Sequence, residues 1–114
     1  MSYVVSPFEV ASKGLDEPVK VRFVHLYPAI ATRHSDSMDV VFLVNGRKAT
    51  VAISCATLAE LRARLGKTLT DQQLADIAAL HLRRTLQQGY EATEAELFLS
   101  GEPFLGLARE LGYI

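Results

Sequence analysis

Apolar positions between Met38 and Ile53 (MDVVFLVNGRKATVAI) fall into two β-branched runs on either side of Asn45-Gly46. A two-residue type I′ turn needs φ above zero at both central positions, and Asn-Gly supplies this at the least steric cost. The pattern therefore predicts a hairpin with a fixed register. Val44 should face Arg47, Phe42 should face Ala49, Val40 should face Val51, and Met38 should face Ile53. These pairs, apolar apart from Arg47 beside the turn, make one core face. The other face pairs Leu43 with Lys48, Val41 with Thr50 and Asp39 with Ala52, and is mixed. A slip of one residue would exchange the two faces, so burial of either one specifies the register.

Upstream, residues 1–18 are weakly patterned. Tyr3 to Val5 and Phe8 to Val10 read as short strands, with turns at Lys13-Gly14 and at Asp16 to Pro18. In Val19 to Tyr27, the positions Val19, Val21 and Phe23 share a face opposite Lys20 and Arg22. After Phe23 the strand becomes apolar on both sides through Val24 and Leu26, as expected of a strand entering a sheet interior, and Pro28 ends it. Ala29 to Ser37 reads as a polar loop.

Downstream the period changes to that of helices. Thr57 with Glu60 has capping-box spacing, with Ser54 as an earlier alternative cap, and Leu58, Leu61 and Leu65 recur up to a stop at Gly66. Thr70 with Gln73 makes a second box. The helix after it runs to about Gln88, with Leu74, Ala75, Ala78, Ala79, Leu82 and Leu86 on one face and Asp76, Arg83 and Gln87 toward solvent. Glu96 to Ser100 reads either as a strand or as a helix capped by Thr93. Phe104, Leu107, Ala108 and Leu111 then have helical spacing, with Pro103 in the first turn and Gly112 as the stop. Strands followed by helices predict a single α+β domain over residues 1–114. The expected architecture is a small antiparallel sheet of three to four strands, with two to three helices on one face, and not βαβ winding.

A hairpin ending in Ala52-Ile53-Ser54, then a helix, then a longer helix bearing arginines resembles a family of small uncharacterised bacterial proteins over roughly residues 38–88. The resemblance implies the fold. It implies no activity and no site residues.

Composition narrows the function classes. Of 114 residues 49% are hydrophobic, enough for a core, and a net charge of −1 gives no global field toward nucleic acid or an anionic membrane. No apolar run is long enough to span a bilayer, and the first ten residues lack the charged and apolar regions of a secretory signal. The single cysteine cannot form an intrachain disulfide and fits a reducing compartment. The expectation is a cytoplasmic protein without a membrane partner.

Cys55 is the leading candidate for chemistry, because a thiol at a helix N-terminus feels the positive end of the macrodipole. Six residues separate it from Arg62, one too many for a phosphatase loop, and none of them is a glycine that could cradle a phosphate. His81 is the candidate base or partner for it, and both residues also suit a structural role. Arg33, His34 and Asp36, together with Asp39, are a candidate anion or cation site in the polar loop. They supply few of the oxygens that a hard cation wants. His25 lies in a strand, and no histidine pair has zinc-ligand spacing. Arg62, Arg64, Lys67, Arg83 and Arg84 on successive helices suggest a nucleic-acid surface, against which stand the net charge and the apolar character of the long helix. No glycine-rich phosphate loop or dinucleotide fingerprint occurs, and no cofactor or metal is expected. The reading is a non-enzymatic binding or protein-interaction module. It is expected to form a homodimer through Val41, Leu43 and Ala52 on the outer hairpin face, or to bind another protein there. The alternatives are a small thiol-dependent enzyme using Cys55 and a weak nucleic-acid-binding protein.

Overall fold

A computed structural model describes residues 5–28, 36–89 and 97–114. In chain order these hold β1 (Phe8–Val10), β2 (Val19–Pro28), β3 (Ser37–Val44), β4 (Arg47–Ser54), α1 (Cys55–Leu65), α2 (Asp71–Gln88), β5 (Leu97–Leu99) and α3 (Gly101–Glu110). The strands form one α+β sheet in the order β1-β2-β3-β4-β5. Tyr3, Val4, Thr93, Glu96 and the polar stretch 29–35, on which several sequence expectations fall, lie outside the described residues.

The hairpin sets the centre of this sheet. Asn45 and Gly46 have φ of 49° and 81°, the left-handed values that a tight turn needs and that only Asn, Asp or Gly adopt at low cost. β3 and β4 pair from Val44 with Arg47 to Ser37 with Ser54. Asn45 also ties the turn to β2: its N–H donates to the Lys20 carbonyl and its side-chain oxygen accepts from the Lys20 N–H, both at 2.8 Å.

β2 explains the broken alternation after Phe23. Phe23 lies opposite Phe42 and His25 opposite Val41, so β2 advances two residues while β3 advances one. The extra residue is a β-bulge at Val24, which is 42% exposed. It switches the parity of the strand. Val19 and Val21 before it and Leu26 after it all point to the core. The doubly apolar stretch is therefore a bulge, not a passage from the edge into the sheet interior.

Two expectations about the sheet are corrected. It has five strands, not three or four, and it is mixed, not antiparallel, because β5 runs parallel to β4, with Val51 beside Leu97 and Ile53 beside Leu99. Parallel neighbours cannot be joined by a tight turn. α1 and α2 lie in the β4-to-β5 connection, so one crossover of the βαβ kind exists within the α+β fold. Leu97-Phe98-Leu99 resolves as strand because its alternate residues Leu97 and Leu99 can join the core side of β4.

All three helices contribute to one core on one face of the sheet, with Val40, Phe42, Val51 and Ile53 beneath them at 0% exposure. α2 crosses β1 to β4 and buries Leu74, Ile77, Leu82 and Leu86, whereas α1 buries Leu61. Each fully buried side chain of this size is worth roughly 1.5–3 kcal/mol, so α2 is the principal cover. The Thr70–Gln73 capping box forms as expected. At α1 the cap is Ser54, not Thr57: its hydroxyl accepts from the Thr57 N–H at 3.4 Å. The Thr57 hydroxyl instead accepts from the Gly101 N–H at 3.0 Å and pins the start of α3 to α1. Leu65, expected on the buried face of α1, is 56% exposed. Asp76, expected toward solvent, accepts from Tyr113 Oη at 2.7 Å and from Gln72 Nε2 at 2.9 Å.

Replacing Gly46 with Val puts a β-branched residue at a positive φ where no neighbouring atom stands in the way. It should therefore lower unfolding stability by strain alone, on the order of 1–3 kcal/mol. A chemical-denaturation midpoint equal to that of the parent would contradict this.

Candidate functional site

Cys55 begins α1 where β4 ends, and its backbone N–H donates to the Asp36 carbonyl at 3.2 Å. This contact draws the residue before β3 against the first turn of α1. It also sets the electrostatics of the thiol. Partial burial pushes the Cys55 thiol above its ordinary range, and the Asp36 carboxylate pushes it further, by its charge and by accepting a hydrogen bond from the thiol. The positive end of α1 acts in the opposite direction, but the net shift is upward. At neutral pH the group is a protonated thiol, and the thiolate is the nucleophile. Beside it, Ser37 donates to Asp39 Oδ1 at 3.0 Å, and both residues are buried at 1% exposure.

The other candidates do not converge on this thiol. His81 is half-buried on α2, where burial lowers its pKa; the charged group facing Cys55 is Asp36, and no hydrogen bond among the described residues joins Cys55 to His81. Arg33 and His34 lie outside the described residues. Asp36 is engaged with Cys55 and Asp39 with Ser37, and among the described residues no group of three or more His, Cys, Asp or Glu side chains could hold a metal ion. His25 lies on the outer sheet face with its ring 4.9 Å from that of Tyr27.

The helical cations are distributed and mostly engaged. Arg64 pairs with Glu60 at 3.0 Å, Arg84 pairs with Glu110, and the Arg83 guanidinium stacks over the Phe8 ring at 4.5 Å from its centroid. Arg83 is therefore not simply solvated, and the three point to three different partners. Arg62 and Lys67 are exposed.

The outer sheet face differs from expectation in what it leaves bare. Val41 is 4% exposed and Ala52 0%, so neither forms an open apolar strip in the single chain. Both occupy the two central strands. Val41 stands between His25 and Thr50, and the short Ala52 side chain stands between Asp39 and Phe98. Larger neighbours on both sides shield them. Leu43 is partly buried, while Phe98, at the edge of the same face, is 56% exposed. The expected alternative cover, the N-terminal residues, does not lie there as far as they are described: Val5, Phe8 and Val10 pack against the helix-side core.

Two surface features were not read from the sequence. A cleft of about 460 Å³ opens beside the hairpin turn, between Phe8, Lys20, Arg22 and Leu43. A groove of about 390 Å³ runs between α1 and α3, with Leu61, Leu65 and Leu105 along it. The i,i+4 spacing of Glu60 and Arg64 was visible, but nothing in the sequence placed α3 beside α1. Compared with family models, with curated proteins and with solved structures, the chain shows no significant match. No membrane-crossing segment occurs among the described helices.

Two outcomes are expected in solution. Native Cys55 should react slowly with a thiol reagent at pH 7, and Asp36→Asn should speed the reaction at that pH by removing the charge that favours the protonated thiol; an unchanged rate would place control elsewhere. His81 has its folded-state pKa below the ordinary value near 6.5, so the unfolded chain binds its proton more tightly. Its contribution to stability is full above that value and is lost as pH falls through the folded-state pKa. Between pH 7.5 and 5, denaturation of His81→Gln should therefore show a smaller loss of stability than the parent.

Proposed function

We propose that the chain is a non-enzymatic interaction module that associates with a second copy of itself. The observation that carries this reading is the apolar surface still bare after sheet and helices have packed: Phe98 and Leu65 are each 56% exposed. Single exposed apolar residues are ordinary. These two have company, since Leu65 shares a groove with Leu105 and Phe98 closes an outer sheet face that also carries the partly exposed Leu43. Apolar patches of this kind mark contacts, and a symmetric pair is the commonest way to cover them. The reading moves the expected contact away from Val41 and Ala52. An unpaired cysteine supports a reducing, cytoplasmic setting for the module.

The thiol-enzyme alternative is the weaker, because Asp36 and burial both favour the unreactive form of Cys55. The nucleic-acid alternative is also the weaker, because Arg64, Arg83 and Arg84 are engaged by Glu60, Phe8 and Glu110. Mass measured by light scattering at tens of micromolar should be twice 12.5 kDa, and a mass of one chain would overturn the proposal.

A further inference from the structure

Resting on that reading of self-association, we infer that the second copy docks on the groove between α1 and α3, with its own groove turned end for end. The hydrogen bond from Gly101 to Thr57 holds the two helices together near their N-termini. From that point residues early and late in each helix line one groove, so the helices run alongside each other in the same sense. Each helix then carries its carboxylate nearer the pinned end and its guanidinium farther from it. These are Glu60 and Arg64 on α1, 3.0 Å apart, and Glu102 and Arg109 on α3, 3.3 Å apart.

The groove therefore has an acidic end and a basic end, with Leu65 and Leu105 between. All four charged side chains are more than half exposed, with Glu60 at 58%, Arg64 at 77%, Glu102 at 77% and Arg109 at 54%. Ion pairs so open to water hold their geometry weakly and can exchange partners at little cost. A two-fold axis across the groove brings the carboxylates of each copy onto the guanidiniums of the other and stacks the leucines at the centre. An occupant of one charge sign would meet its like at one end. A groove that is its own complement after rotation selects a second copy of this chain.

Charge exchange tests this. One double variant carries Glu60→Arg and Glu102→Arg, and another carries Arg64→Glu and Arg109→Glu. All four positions lie outside the core, and circular dichroism checks the fold. A further variant, Leu65→Asp, alters a residue already open to solvent. The parent should be dimeric. Each double variant alone, and Leu65→Asp, should dimerise about tenfold or more weakly, and an equimolar mixture of the two double variants should recover a mass of two chains. A monomeric parent would remove self-association altogether. A dimeric parent whose double variants stay equally dimeric would leave self-association standing and overturn the groove as its site. Monomeric double variants that fail to pair when mixed would overturn the end-for-end arrangement.

Discussion

Two consecutive residues with φ above zero, Asn45 and Gly46, hold the register on which the remaining packing depends. Side chains alternate across a strand with a period of two, so the turn decides that Val40, Phe42, Val51 and Ile53 all face one way. That face is what α2 covers with Leu74, Ile77, Leu82 and Leu86. The ladder continues outward from it. Asn45 bonds Lys20, β2 aligns on β3, and the bulge at Val24 returns Leu26 to the core after the parity change.

The parts of this fold that were legible in the sequence are those fixed by local chemistry. The hairpin register, the Thr70–Gln73 capping box and the left-handed stop at Gly66 each follow from a few adjacent residues. What was not legible depends on residues distant in sequence. The parallel placement of Leu97 to Leu99 beside β4 is set by the course of α1 and α2 between them. The choice of Ser54 over Thr57 as cap depends on Gly101, which claims the Thr57 hydroxyl from across the fold. The bulge at Val24 appeared in the sequence only as a lapse in alternation, which an interior strand would also produce.

The candidate site divides in the same way. Cys55 at a helix N-terminus was readable from Ser54 and the following leucines. The group that governs its reactivity was not, because Asp36 approaches it only when β3 and β4 pair. Burial of Val41 and Ala52 was missed for a related reason: alternation tells which face a side chain takes, and the size of its neighbours across the sheet tells how much of it water reaches.

The crossover that carries the chain from β4 to β5 also bears on how the molecule assembles. β3 meets β4 across a two-residue turn, a closure of low entropic cost, whereas β5 reaches β4 only after the chain has passed through both α1 and α2. The far side of β4, with Val51, Ala52 and Ile53, is consequently an unpaired strand edge during the early part of folding. Such an edge is a template for another chain. During synthesis β5 and α3 emerge last, so that edge waits on the final stretch of the chain to be covered.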